Sequence, residues 1–334
     1  MMKRLLIIFL SVVLISSCRS ESGRVFLFLD GFTQGTSYFI AYNSPDSIDY
    51  HDEIKELFRQ IDNSMSIYNE SSVISAINRN DPFAEPDDYF MTVFKRAMEI
   101  SEKTGGAFDI TVGPLVNAWG FGFTERENIT PGLIDSLMDF TGWQKVRYEE
   151  GEIVKDDERI IIDMNAIAKG FSVDVVAGFF DDMGIADYMI EVGGEIRVKG
   201  TNRNDQLWRI GIDKPVEDPA AISRELQEVL HLTDASLATS GNYRRFYIQD
   251  GQRFAHTIDP FTGYPVRHNL LSATVITSTC MDADAFATAF MVMGLEKSME
   301  LAAAHPDIEA YFIYDLNGVS AVAHTDGVAE MIRR

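Results

Sequence analysis

Polar and apolar positions along this chain alternate between two periods. Residues 89–104 place Phe90, Val93, Phe94, Ala97 and Met98 on one helical face and stop at Gly105, which predicts an amphipathic helix. The same reading predicts helices over 50–64, over 130–142, opened by Thr130-Pro131, over 166–183, closed by Gly184, and over 295–304. Residues 25–29 and 36–42 read as paired strands, followed by strands over 159–163, 188–192, 208–213, 228–234, 271–277, 310–314 and 319–324. Helices and strands are interspersed with no internal repeat or long linker, which predicts one α+β domain.

One helical stretch stands apart. Residues 280–294, CMDADAFATAFMVMG, are too apolar for an exposed helix and predict a buried one. Asp282 sits at its start as an expected N-cap. Asp284 and Thr288 follow, four apart, so their oxygens share one face. Two readings stand here: a capping carboxylate with a threonine bonding back to its helix, or half of a Mg²⁺ site completed by a backbone carbonyl and phosphate oxygens.

The first residues read as a leader. Lys3 and Arg4 precede an apolar run over 5–15 that is too short to span a bilayer, and Ser16-Ser17-Cys18 closes it. Residues 14–18, LISSC, resemble a bacterial lipobox, which implies a signal peptide over 1–17, lipidation of Cys18 and a polar tether over 18–24. Arg19 is not the aspartate that retains many bacterial lipoproteins in the inner membrane. The expected location is the bacterial cell envelope, lipid-anchored and facing the periplasm. The formal charge is −22, and it drops further once Lys3 and Arg4 leave with the leader. Such a chain is a poor partner for nucleic acid or anionic lipid by charge. With Cys18 lipidated, Cys280 is left as a small buried hydrophobe, and no intrachain disulfide forms.

Five stretches place glycines or polar groups at the ends of elements. Residues 105–109, GGAFD, follow a helix; they read as a helix C-cap or as a place where Phe108 and Asp109 meet a planar heterocycle. Residues 163–170, DMNAIAKG, join a strand to a helix, whose free amides and Lys169 suit an anion, or simply cap a helix. Gly193-Gly194 marks a tight turn or a backbone against ligand. Residues 239–245, TSGNYRR, read as a phosphate clamp or a solvated turn. His256, before Asp259-Pro260, reads as a general base or as a structural histidine. The P-loop, full GxGxxG, HExxH, CxxC and GxSxG motifs are missing from the sequence, so the enzyme classes they mark are not the leading candidates.

Taken together and in order, these stretches resemble the ApbE family, the FAD:protein FMN transferases. The resemblance runs from about Gly35 to Gly294. It is carried by Gly35-Thr36, Ser66-Ile67-Tyr68 with Ser71, Gly106 to Asp109, and Ala166 to Gly170. It continues through Gly193-Gly194, Ser240 to Tyr243, His256 with Asp259-Pro260 and Thr262-Gly263, and Asp284 to Thr288. It implies a single ApbE-like, T-fold-like domain over 25–334, an α+β fold of mixed antiparallel sheets with packed helices. It implies transfer of the FMN part of FAD to a threonine or serine hydroxyl of another protein, with release of AMP. By the same resemblance Tyr68, Ala107, Phe108, Asp109, Asp163, Lys169, Gly193, Gly194 and Ile258 line the FAD site. The Ala166 carbonyl, Asp284 and Thr288 hold Mg²⁺, and His256 and Asp284 are catalytic. Implied partners are FAD and flavin-carrying subunits of respiratory redox complexes. The sequence departs from the family's pattern at Gln34, where methionine is usual, at Asn165 and at Phe261. Two alternatives remain: a Mg²⁺-dependent FAD pyrophosphatase, and a lipoprotein that binds FAD without chemistry.

The lipobox generates one expectation. Cys18→Ser gives an unlipidated protein with unchanged activity in vitro. Metabolic labelling with radioactive palmitate checks it, and label that survives the substitution contradicts it.

Overall fold

The computed structural model describes residues 24–122, 126–215, 225–242, 246–249 and 252–333. Cys18 and the leader, and Tyr243 to Arg245 of the expected clamp, lie outside these residues. In chain order the strands are β1 Phe26–Thr33, β2 Thr36–Asn43, β3 Val146–Glu149, β4 Glu152–Lys155, β5 Tyr188–Val192, β6 Glu195–Lys199 and β7 Trp208–Asp213. They continue as β8 Leu226–Leu232, β9 Ala235–Gly241, β10 Phe246–Gln249, β11 Gln252–Ala255, β12 Leu270–Thr277, β13 Glu309–Leu316 and β14 Val319–His324. The helices are α1 His51–Met65, α2 Val73–Asn78, α3 Asp88–Lys103, α4 Gly113–Ala118, α5 Pro131–Met138, α6 Ala168–Asp182, α7 Cys280–Met293, α8 Leu295–Ala304 and α9 Asp326–Arg333.

Eight strands form one sheet in the order β1-β2-β5-β6-β9-β12-β13-β14, with each neighbouring pair antiparallel. The strand period of two sends alternate side chains to opposite faces. In β13, Ala310 and Phe312 join the helical side, whereas Tyr311 and Ile313 join the other. The β7–β8 hairpin and α9 cover that second face around Trp208, Ile210, Leu230 and Val328. Both faces being covered explains why β12 is buried at nearly every position instead of alternating. The expected α+β fold of antiparallel sheets with packed helices is what the chain adopts.

Helix α7 lies against β9 and β12 and beside α6 at the middle of the helical layer. Its apolar residues are buried on all sides, as their density requires. Two corrections concern its neighbourhood. Asp282 is not the N-cap: Thr279 is, its hydroxyl accepting from the Asp282 amide, while the Asp282 carboxylate takes a two-pronged bond from Arg96 of α3 at 2.6 and 2.7 Å. Residues 159–163 form no strand: Arg159 lies in a turn and no ladder pairs the rest. The Asn78 side chain stands in for a strand partner, accepting from the Ile162 amide at 2.8 Å and donating to its carbonyl at 2.9 Å. The helix expected over 130–142 ends at Met138, and the one expected to start at 166 starts at Ala168.

Helices α6 and α7 cap each other. Asp174 of α6 accepts from the Cys280 and Met281 amides at 2.9 and 2.8 Å, filling donors that α7's first turn leaves open. Asp284 of α7 accepts from the Gly170 amide of α6 at 3.1 Å. This exchange needs close backbones. A Cβ on Gly170 would stand 2.2 Å from the Cys280 carbonyl oxygen and 2.9 Å from the Asp284 Cβ, so only glycine fits. Gly178, on the exposed side of the same helix, has nothing within 4 Å of such a Cβ.

Opposite outcomes follow for two alanine substitutions in one helix. Gly170→Ala is expected to destabilise by about 1–3 kcal/mol or more through overpacking. Gly178→Ala is expected to stabilise by about 0.5–1 kcal/mol through reduced unfolded-state entropy. Denaturant unfolding of both variants checks this, and equal stabilities contradict the packing account.

Candidate active site

The α6–α7 contact gathers three charged groups. Lys169, in the first turn of α6, directs its Nζ 2.7 Å from Glu195 Oε1 and 3.6 Å from Asp284 Oδ2. Glu195 and Asp284 are each only 6% exposed, whereas 30% of the Lys169 side chain remains open. Burial pulls Lys169 down, but the Asp284 and Glu195 carboxylates outweigh it and hold the ammonium above its ordinary pKa. Burial, with the Asp284 charge adding, pushes Glu195 up to about 7 against the pull of Lys169. The other Glu195 oxygen, Oε2, is buried and has no hydrogen-bond partner among the described residues.

The β5–β6 turn delivers Glu195 to this place. Val192 pairs with Glu195, so Gly193 and Gly194 form a two-residue turn with φ of 65° and 107°, a conformation that favours glycine at both positions. A Cβ on Gly193 would also stand 2.7 Å from Thr36 Cγ2. Of the two readings of this glycine pair, the tight turn is present, and it carries a carboxylate inward.

A second group lies on the loops before α6. Asp109 ties two segments together: Oδ1 accepts from the Thr111 amide and hydroxyl at 2.7 and 2.6 Å, and Oδ2 from the Trp143 amide at 2.9 Å. Ala107 and the Phe108 ring are buried, so this loop presents backbone and the Asp109 region rather than the phenyl face. Gly106 packs at the Trp143 indole and the Phe261 ring, where a Cβ would stand 3.1 and 3.5 Å away. Asp163 donates its amide to the Ile110 carbonyl at 2.7 Å and accepts from the Asn165 amide at 2.8 Å. Six residues later the chain reaches Lys169, so the segment 163–169 joins the two groups.

The remaining expected residues are placed as follows. Ile258 is buried with Leu115, Trp119 and Ile134 under α4 and α5. His256 is half-buried, its ring edge-on to Phe121 at 6.4 Å. Asp259 Oδ1 accepts from the Phe261 amide and shapes its own turn. Thr288 lies one turn along α7 from Asp284 and is half-buried, as is Ala166. Tyr68 stands on the surface, 69% exposed, just before α2. Glu195 and Asp174 are the residues the sequence reading missed. An inward-facing carboxylate directly after a glycine turn was the available signal for Glu195; Asp174 carried none.

Mg²⁺ requires hard oxygen donors in a near-octahedral set. Among the described residues no group of three or more His, Cys, Asp or Glu side chains is arranged to hold a metal. One carboxylate with a hydroxyl and a carbonyl is nevertheless the kind of partial oxygen set Mg²⁺ uses when it also keeps waters and phosphate oxygens. The buried, unpartnered Glu195 Oε2 adds negative character beside Asp284. The residues present fit the ion.

An antiparallel α+β domain with a helix N-terminus, an ammonium and paired carboxylates at one junction defines a class of protein that handles a phosphorylated ligand. The comparisons narrow the class. The model of the ApbE family matches residues 34–312. An FAD:protein FMN transferase of Vibrio cholerae is 39% identical over 313 residues, covering 91% of this chain and 92% of its own. One of Escherichia coli is 33% identical over 284 residues, covering 82% and 80%. Among solved structures, the flavin transferase ApbE from Vibrio cholerae matches with a TM-score of 0.83 at 36% identity, over 92% of this chain and 99% of that one. The apo flavinyl transferase ApbE of Pseudomonas stutzeri matches with a TM-score of 0.82 at 28% identity, over 92% and 97%. This chain belongs to the ApbE family.

Burial gives a pH prediction for Asp163. Its carboxyl is raised above the ordinary 3.8, so folding favours the protonated form. The resulting loss of stability is complete above the folded pKa and vanishes as pH falls toward the unfolded value. Asp163→Asn is therefore expected to melt at or above wild type at pH 7, with the gap closing on acidification. A clearly lower melting temperature at pH 7 contradicts this.

Proposed function

We propose that this chain is a lipid-anchored enzyme of the cell envelope that transfers the FMN part of FAD to a threonine or serine hydroxyl of a partner protein, releasing AMP. The observation that carries the reading is the Lys169–Glu195–Asp284 cluster at the mouth of α6, in a chain of this family. Attack on the FAD pyrophosphate develops charge on phosphoryl oxygens. The Lys169 ammonium, in the first turn of α6, is assigned to those oxygens. An acidic chain needs such local positive groups, because its overall field repels a polyanion.

Asp284, Thr288 and the Ala166 carbonyl would hold Mg²⁺, which supplies further charge stabilisation and orients the leaving AMP. Asp284 has a second task as the cap of Gly170, so its replacement by alanine would disturb α6 as well as the ion. His256 is assigned the proton of the acceptor hydroxyl, since neutral imidazole is the usual base near pH 7. The loop of Ala107 to Asp109, Asp163, Ile258 and the exposed Tyr68 are assigned to FAD. The acceptor is a flavin-carrying subunit of a respiratory redox complex. The Cys18 lipid keeps the enzyme at the membrane where such subunits reside.

Incubation with FAD, Mg²⁺ and a candidate acceptor tests the reading, followed by in-gel flavin fluorescence and AMP release. Fluorescent acceptor with stoichiometric AMP is expected. Release of FMN and AMP with no labelled protein would favour the pyrophosphatase. His256→Asn is expected to slow single-turnover transfer by roughly 10²- to 10⁴-fold with FAD affinity little changed. A normal single-turnover rate removes His256 from the mechanism.

A further inference from the structure

Lys169 is shared unequally. Its Nζ lies 2.7 Å from Glu195 and 3.6 Å from Asp284, so Glu195 holds the ammonium and Asp284 only approaches it. Two buried carboxylates face one ammonium, so the pocket holds one acidic group more than the ammonium can pair with. Glu195 Oε2, buried without a partner, marks the same excess from the β6 side. Such a pocket favours a second cation.

The ammonium and that cation compete for Asp284. An ammonium seated on Asp284 blocks the carboxylate by position and repels a divalent ion by charge. Lys169 is tethered at the first turn of α6, and a buried ammonium keeps a counter-ion. Without Glu195 the remaining carboxylate in reach is Asp284. Glu195 is placed for the opposite pull: it begins β6, and the Gly193-Gly194 turn and the Val192 pairing fix it. We propose that Glu195 is a positioning residue that draws Lys169 away from Asp284 and thereby sets the affinity of the Asp284 site for a divalent cation. The proposal rests on the reading of Asp284 as a metal ligand.

The test uses the full chain without FAD and Mn²⁺ as probe, with bound ion counted by electron paramagnetic resonance and Mg²⁺ as competitor. Glu195→Gln is expected to weaken Mn²⁺ binding about tenfold, the scale of an ammonium moved onto the Asp284 carboxylate. Lys169→Met removes the competitor and is expected to bind Mn²⁺ at least as tightly as wild type. Adding Glu195→Gln to Lys169→Met is expected to cost much less than tenfold, because no ammonium is left to move. Unchanged Mn²⁺ affinity in Glu195→Gln overturns the proposal. So does an equal loss in both backgrounds, since Glu195 would then act by charge alone. If the glutamine variant does not fold, Lys169→Met decides: weaker Mn²⁺ binding overturns the proposal. Asp284→Asn separates the two levels. If it abolishes Mn²⁺ binding while Glu195→Gln changes nothing, the metal reading stands and this inference falls. If it binds Mn²⁺ like wild type, both fall.

Discussion

The contact of α6 with α7 at Gly170 is the constraint on which the rest depends. A residue with no Cβ lets the Cys280 carbonyl approach, and that approach brings Asp284 to the Gly170 amide. The same approach aligns Asp174 with the first amides of α7. Each helix satisfies donors the other leaves open, at a largely buried contact. Burying these carboxylates is costly, and burial pushes Asp174 up despite the Arg197 guanidinium 2.6 Å away. The protein keeps the acids because they join two helices and assemble a charged pocket in one arrangement.

That arrangement explains how an acidic chain can hold a doubly phosphorylated ligand. Its net charge works against binding, so attraction must be local. Lys169 supplies it, and the Asp284 and Glu195 carboxylates keep the ammonium charged. The loops of Asp109 and Asp163 are joined by the bond from the Asp163 amide to the Ile110 carbonyl, and Asp109 also holds the Trp143 amide. The Gly193-Gly194 turn brings Glu195 to Lys169 from the sheet.

Much of this was legible in the residues. The helix at 280–293 declared itself by apolar density, and the strands at 188–192 and 319–324 have the expected bounds. Other elements were not legible. Strand β9, ASLATSG, holds few bulky residues because α7 packs closely on it, so it lacks a strand's aliphatic signature. The segment at 159–163 has a strand's composition but pairs with no strand, and its Ile162 takes a partner from one asparagine side chain. Thr279, three residues before Asp282, was a readable capping pattern. The bond from Asp282 to Arg96 spans 186 positions and left no local sign. Asp284 and Thr288 are legible from their i, i+4 spacing and Lys169 from its place at the start of a helix, whereas Glu195 is legible only once the sheet sets it beside Lys169.

On the function proposed above, FAD and a divalent ion occupy one site built on the α6–α7 junction. Each must then strengthen binding of the other, since coupling between two sites is reciprocal. The direct measurement is FAD affinity by fluorescence titration of wild-type protein, with saturating Mg²⁺ and with the ion removed by chelator. The account predicts FAD binding tighter by about tenfold or more with Mg²⁺, the scale of a coupling near 1.4 kcal/mol. The same FAD affinity with and without Mg²⁺ would contradict it.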